Sequence, residues 1–241
     1  MAQLLLMSRR RWIADEVSGN RAILLGPHAA HLSRVLRARI GQKFDISTGR
    51  EVRRGLITRI SPERVEFELG EVVASPAPLQ VTLALSIFKF DRLEWAIEKC
   101  TELGAGRIIP VIAQRTETHL AAAAPKRVER WQRIARQAAE QSRQLSPPEI
   151  TAPIKLKQAV ALPGSRRIVL SESEDQITLK EALKSHGSNV ILAFGPEGGW
   201  TEAELEMFRN AGWISASLGN TILRAETAAI VALAITLAEL Q

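Results

Sequence analysis

The chain has 241 residues, with 32 Lys+Arg against 26 Asp+Glu and a formal charge of +6. A hydrophobic share of 46% and a charged share of 24% exclude a disordered, collagen-like or disulfide-scaffold chain. The single cysteine, Cys100, cannot form an internal disulfide and predicts a reducing, cytoplasmic setting.

At the start, Leu4-Leu5-Leu6-Met7 precedes Arg9-Arg10-Arg11. A secretory signal needs its charge first and a longer apolar run, so no targeting segment is expected. No apolar run is long enough to span a bilayer. Residues 8–75 read as short strands with turns: Arg11–Ile13, Arg21–Leu25, Lys43–Ser47 and Val65–Leu69, punctuated by Gly19-Asn20, Gly26-Pro27, Gly41, Gly49 and Ser61-Pro62. Between them, His28–Arg39 fits one helix with Leu32, Val35 and Leu36 on a stripe. Short strands at this spacing predict a small β-barrel. The stretch Ala74-Ser75-Pro76-Ala77-Pro78 reads as a stiff linker. It sets domains at 1–75 and 76–241.

The second part alternates strand and helix. Val81–Phe88 reads as a buried strand, and Asp91–Leu103 as a helix capped by Asp91 and Glu94 and closed by Gly104. Arg107–Ala113 is a strand in which Pro110 disfavours a central position. Pro125 opens a long helix to about Leu145, with Trp131 inward and Arg127, Arg130, Arg133 and Arg136 outward. Arg167–Ser171, Val190–Phe194 and Ile214–Leu218 read as strands, and Thr201–Ala211 as a helix with a Thr201/Glu204 capping box. Ala225–Leu240 is apolar nearly all round, which predicts a buried helix. Alternation of this kind implies an α/β fold with a mostly parallel sheet.

The charge is unevenly placed: net +5 over residues 1–75, +3 over 76–150 and −2 over 151–241. Arginine outnumbers lysine 24 to 8. Guanidinium forks bind phosphate and stack on bases, so a basic front half points to nucleic acid. Arg9-Arg10-Arg11-Trp12 and His31-Leu32-Ser33-Arg34-Val35-Leu36-Arg37 are its densest parts. His28 and His31 lack further His or Cys at metal spacing, so no metal site is expected.

Two segments carry candidate chemistry. Phe194-Gly195-Pro196-Glu197-Gly198-Gly199-Trp200-Thr201 follows an apolar strand and precedes a capped helix. Its glycines permit close backbone approach to a ligand at the carboxyl edge of a sheet. It lacks the Lys-Ser/Thr ending of a P-loop and the Gly-x-Gly-x-x-Gly of dinucleotide folds. Ser217–Ala228 joins the last strand to the last helix, and its Arg224 and Glu226 enter an apolar helix, where charge is costly unless paired or used.

These segments resemble the two C-terminal signatures of the bacterial small-subunit (16S) ribosomal RNA uracil-N3-methyltransferases of the SPOUT class. The matching residues are Gly195-Pro196-Glu197-Gly198-Gly199 with Glu204, and Leu218-Gly219-x-x-Ile222-Leu223-Arg224-x-Glu226-Thr227-Ala228. Matches in the same order are Glu98–Gly104, Ile109-Pro110, Arg115, Ala138–Ser142, Arg10–Ile13 and His31–Arg37. The resemblance implies a PUA-like RNA-binding β-barrel followed by a trefoil-knot domain. It also implies S-adenosyl-L-methionine as cofactor, ribosomal RNA as substrate and a homodimer. The cofactor residues would be Gly195, Pro196, Glu197, Gly198, Gly199, Leu218, Gly219, Ile222 and Leu223. The RNA contacts would be Arg9, Arg10, Arg11, Arg34, Arg37, Arg115 and Arg143, with Arg127, Arg130, Arg133 and Arg136 also holding phosphates.

Uracil N3 is a poor nucleophile until its proton leaves, so the reaction needs a cation for the anionic base or a group that takes the proton. Arg224 is the candidate for the first role; Glu226 and Glu197 both remain candidates for orienting it or accepting the proton. Two rival expectations are a ribose 2′-O-methyltransferase of the same class, whose last motif usually reads Ser-Leu-Asn in place of Ile222-Leu223-Arg224, and a non-enzymatic RNA-binding assembly factor.

Overall fold

A computed structural model of the chain describes residues 11–74, 80–184 and 189–240. The chain divides into two units, Met1–Ala77 with Arg143–Ser146, and Pro78–Ser142 with Pro147–Gln241. Arg143–Ser146 thus folds with the first unit, whereas a boundary at 75 assigns it to the second. Ser75–Pro78 of the linker, like Arg9 and Arg10, lie outside the described residues.

The first unit contains β1 (Arg11–Ile13), β2 (Glu16–Ser18), β3 (Arg21–Leu25), α1 (Gly26–Ala30), β4 (Lys43–Ser47), β5 (Val52–Ile60) and β6 (Arg64–Ala74). They form a six-stranded sheet in the order β1-β4-β5-β6-β3-β2, antiparallel except for β1 against β4. Its core gathers Trp12, Leu24, Leu32, Ile46, Ile57 and Phe67. Strand β5 is hidden from an alternation test because Arg53-Arg54-Gly55 interrupts the pattern. Gly55 is there for packing: a Cβ would lie 2.5 Å from Ile46 Cγ1. The single helix expected over His28–Arg39 is instead α1 followed by one π-helical turn, His31–Val35. Only Leu32 of its stripe is buried; Val35 is 65% exposed, and Arg37 leaves the helical region at φ 50°. The stripe lacks a core to face beyond Leu32.

The second unit runs β7 (Gln80–Ser86), α2 (Phe90–Leu103), β8 (Arg107–Ile112), α3 (Thr118–Ala123), α4 (Val128–Gln141), β9 (Glu149–Ile150), β10 (Ile154–Lys155), α5 (Leu156–Val160), β11 (Arg166–Leu170), α6 (Leu179–Leu183), β12 (Asn189–Phe194), α7 (Glu202–Asn210), β13 (Ile214–Ala216) and α8 (Ala225–Leu240). The strand order is β10-β8-β7-β12-β11-β13, with β9 also on β8, and every pairing is parallel. Both faces are covered, as parallel sheets require. Leu83, Leu85, Leu192 and Phe194 pack towards α2, α4, α6 and α8, and Ala84, Ile191 and Ala193 towards α5 and α7.

Pro110 sits inside β8, between β7 and the β9/β10 side and short of the strand end, so the central position that it disfavours is the one it takes. The Ile108 carbonyl accepts from the Thr151 amide, and Pro110 shares that side of the strand. Its missing N–H therefore falls at the break between β9 and β10, where no ladder bond is lost. The Asp91/Glu94 cap is also absent: Lys89 is the N-cap with no side-chain bond. Glu94 instead accepts a fork from Arg130 at 2.7 and 2.8 Å and lies 3.8 Å from Arg127. The helix opened by Pro125 begins as a 3-10 turn, Ala124–Arg127, and α4 ends at Gln141, short of Leu145. Helix α8 buries one face, through Glu226, Ala229, Ala232, Leu233 and Thr236, rather than its whole circumference. Cys100, on α2, is fully buried in the core, and burial pushes its thiol up to about 12.

Thr201 caps α7 through its hydroxyl, which accepts from the Glu204 amide, while the Glu204 carboxylate accepts from the Thr201 amide at 2.9 Å. Thr201→Ala should therefore cost about 1 kcal/mol, measured as a fall in the urea midpoint at unchanged slope.

Candidate functional site

Strands β12, β11 and β13 lie side by side and parallel, so their carboxyl ends open on one edge of the sheet. The three segments that leave them are Ser171–Thr178, Gly195–Trp200 and Ser217–Arg224. They enclose a cavity of 560 Å³, in the size range of small-molecule sites.

The Gly195–Trp200 segment is held tightly. The Gly199 amide donates to the Pro196 carbonyl at 2.8 Å, closing a turn. Gly199 has φ 68°, and a Cβ there would lie 3.0 Å from Glu172 Oε1. A Cβ on Gly195 would sit 3.3 Å from both the Gly199 carbonyl carbon and the Trp200 nitrogen. Both glycines are thus required by close approach, one also by its backbone angle. The Trp200 indole N–H donates to the Leu170 carbonyl at 3.0 Å, tying this loop to the end of β11. Trp200, Phe208 and Trp213 stack edge to face beneath it, with centroids 5.0 and 4.9 Å apart. Glu204, 3% exposed, also accepts from the Gln114 amide at 2.7 Å, joining α7 to the segment after β8. On the third side, the Ser217 amide donates to the Ile177 carbonyl, and the Leu179 amide to that of Ser217, both at 2.9 Å.

The charged groups fall into two states. Arg92 lies 3.5 Å from Glu197 and 3.9 Å from Glu226. Glu226 is 5% exposed and its Oε2 lacks a hydrogen-bond partner among the described residues. Arg224 is exposed and has no ion-pair partner among the described residues. Glu172, Glu174 and Asp175 add an acidic wall.

Of the residues singled out from sequence, Gly195, Pro196, Glu197, Gly199, Leu218, Gly219, Ile222, Leu223 and Arg224 line this one cavity. Ile222, 82% exposed, stands at the rim. Gly198 does not line it; a Cβ there would meet only the Arg115 stem, at 3.3 Å from Cδ. Glu226 lies in the first turn of α8 and reaches the cavity through Arg92. Arg115, expected on RNA, is exposed and donates to the carbonyls of Gly198 and Trp200, so it braces the glycine loop.

In the first unit Arg11 donates to the Arg143 carbonyl. Burial holds its guanidinium below the usual arginine range, despite the opposing pull of Asp45. Arg34, Arg37 and Arg143 are exposed. Among the arginines of α4 and its approach, Arg127 and Arg130 are engaged by Glu94 and Arg136 by Glu140, while Arg133 is exposed.

Sequence reasoning missed Arg92 and Glu172. The signal for Arg92 is a cation in the first turn of a helix, where the macrodipole disfavours it. Glu172 lies in a polar run, Ser171–Gln176, with no pattern to mark it.

Gly199→Ala should cost about 1–2 kcal/mol, since it forces a left-handed side chain against Glu172. Gly198→Ala should shift stability by less than about 0.5 kcal/mol. Equal urea midpoints for the two variants would contradict this geometry.

The model of the RNA methyltransferase domain family matches residues 75–237. The ribosomal RNA small subunit methyltransferase E of Synechocystis sp. (strain ATCC 27184 / PCC 6803 / Kazusa) is 34% identical over 236 residues, covering 95% of this chain and 77% of that protein. A methyltransferase structure from Legionella pneumophila, in complex with the bound cofactor SAM, superposes with TM-score 0.82 at 27% identity over 96% of this chain and 98% of that one. A ribosomal RNA small subunit methyltransferase E from Neisseria gonorrhoeae, bound to S-adenosyl methionine, gives TM-score 0.81 at 29% identity over 94% and 95%. By sequence and by fold, the chain belongs to the RNA methyltransferase domain family, among the ribosomal RNA small subunit methyltransferases E.

Proposed function

We propose that this chain transfers a methyl group from S-adenosyl-L-methionine to N3 of a uridine in small-subunit ribosomal RNA. The observation that carries the reading is the joining of both signature segments in one cavity, with an arginine on its wall, Arg224, that is unpaired among the described residues.

The cavity suits the cofactor chemically. Gly195 and Gly199 line the cavity and let the loop pack closely on itself and on Glu172, which fixes the backbone that a ligand would meet. Leu218 and Leu223 give apolar contact, and Glu172, Glu174 and Asp175 provide negative charge for a ligand with cationic groups. When bound, the cofactor supplies a methyl on a positively charged sulfur.

The chain must then make N3 of the base nucleophilic and aim it. Arg224 is free to sit beside the base and stabilise the anion left when the N3 proton departs. Glu197 faces the cavity and is the better placed carboxylate to accept that proton; Glu226, buried behind it, orients its neighbours. Because N3 lies on the pairing edge, the uridine must enter unpaired or flipped out.

The remaining parts of the reading follow the same resemblance. The first unit, 1–75, would be a PUA-like barrel holding RNA, for which the exposed Arg34 and Arg37 supply charge. Residues 76–241 would form the knotted catalytic domain, supported by the strand order β12-β11-β13. The half-buried Ile230, Val231 and Leu237 of α8 offer a homodimer face. Ribosomal RNA places the reaction in the cytoplasm.

Arg224→Ala should lower methylation by more than about a hundredfold while cofactor affinity by calorimetry stays within about threefold. Nucleoside mass spectrometry of ribosomal RNA treated with the wild-type chain should show N3-methyluridine. A methylated ribose would overturn the assignment of the base as acceptor.

A further inference from the structure

Arg92 is not part of either signature segment, yet it touches both. It occupies the first turn of α2, beside Lys89 and against the helix field. Its Nη1 lies 3.5 Å from Glu197, in the loop after β12, and its Nε lies 3.9 Å from Glu226, in the first turn of α8. Its side chain is 34% exposed and lines the cavity. Among the described residues no other cation lies within 4.0 Å of Glu226, a buried carboxylate that needs one. The loop on one side carries Gly199 and Trp200; the helix on the other begins directly after Arg224. A single guanidinium therefore spans the two places where the glycine cradle and the free arginine are set.

We propose that Arg92 is a positioning residue of the methyl transfer: it clamps the Glu197 loop to the start of α8 and so fixes where Arg224 enters the cavity. This rests on the function proposed above. The division of labour follows from charge. Arg92 is already met by two carboxylates and has little attraction left for an anionic base. Arg224 has no such partner among the described residues, so its guanidinium is open to an anionic base. A lysine would not reproduce this geometry, because Arg92 meets the two carboxylates from separate nitrogens, Nη1 and Nε, whereas a lysine would have to reach both from one ammonium.

The experiment compares the full wild-type chain with Arg92→Gln, Arg92→Lys and Arg92→Gln/Glu226→Gln. Amide hydrogen exchange, read without ligand, should rise about tenfold at Glu197–Trp200 and in the first turn of α8 for Arg92→Gln, and should not change in α4. At saturating RNA and cofactor, kcat should fall by about thirtyfold. The calorimetric affinity for S-adenosylhomocysteine should stay within about threefold. Arg92→Lys should recover melting temperature but not kcat. Should Arg92→Gln fold poorly, the double variant removes the uncompensated buried charge; it should melt near wild type and still turn over slowly. Unchanged exchange in Arg92→Gln, or a double variant restored in both melting temperature and kcat, overturns the clamp and leaves Arg92 as a mere counter-charge. The wild-type control separates the two claims. Wild-type digests without N3-methyluridine refute the functional reading, and with it the role in methyl transfer. Wild-type methylation with an unaffected Arg92→Gln refutes only the role of Arg92.

Discussion

The site depends on one feature of the sheet: β11 is pinned between β12 and β13, with all three strands parallel. Parallel neighbours deliver their carboxyl ends to the same edge, so three chain segments must leave through one narrow region. The strands are short, apolar and covered on both faces, which gives them no freedom to splay. Crowding at the exit then dictates local chemistry. Gly195 and Gly199 stand where a side chain would press on its neighbours, and Gly199 has a left-handed backbone as well. The Trp200 indole fills the adjoining space and satisfies the terminal carbonyl of β11. The chain after β13 finds its backbone partners in Ile177 and Leu179. The cavity is what remains between three segments that cannot collapse onto one another.

Charge is distributed inside that cavity by burial. The Arg92–Glu197 pair is about one-third exposed on both sides, and such pairs contribute roughly 0–1 kcal/mol. Glu226 is different, because a carboxylate 5% exposed cannot be left without a cation. The weak pair and the necessary one share the same guanidinium. It follows that the position of Arg92 is set from below, by Glu226, and that Glu197 takes its place from Arg92. Arg115 does the matching job on the other side of the glycine loop by donating to the carbonyls of Gly198 and Trp200.

Much of this was legible in the order of residues. The Thr201/Glu204 box, the bounds of α8 and the apolar runs of β11 and β12 follow from capping and hydrophobic pattern, and all three recur in the structure. Two of the three loop segments of the cavity were marked by glycines at strand ends. The failures share a cause: each turned on a partner distant in sequence. Glu94 pairs with Arg130, 36 positions away, so it does not cap its own helix. Pro110 is tolerated because β9 and β10 leave a break opposite it. Arg92 meets groups more than a hundred positions downstream. The strand β5 needs Gly55 only because Ile46 lies across from it. Local patterns report local free energies, and these positions are decided by tertiary contacts.

The arginine excess illustrates how a composition argument changes once partners are visible. Net charge counts every guanidinium equally, but many here are occupied within the fold. Arg53 donates to the Gly70 and Leu69 carbonyls, Arg166 to that of Ala182 and Arg167 to that of Ala211. Arg11 and Arg115 do likewise. A guanidinium suits this work because its five donors reach several carbonyls at once while its planar head can lie over an aromatic ring, as that of Arg167 does over Trp213. The preference for arginine over lysine is therefore partly a requirement of the fold, which has many chain ends and bulges with unsatisfied carbonyls. What is left for phosphate is a smaller and better defined set, of which the exposed Arg34, Arg37 and Arg133 are members. A polyanion would be attracted by the whole field but gripped only by arginines whose forks are still open, so geometry and not net charge sets where RNA is held.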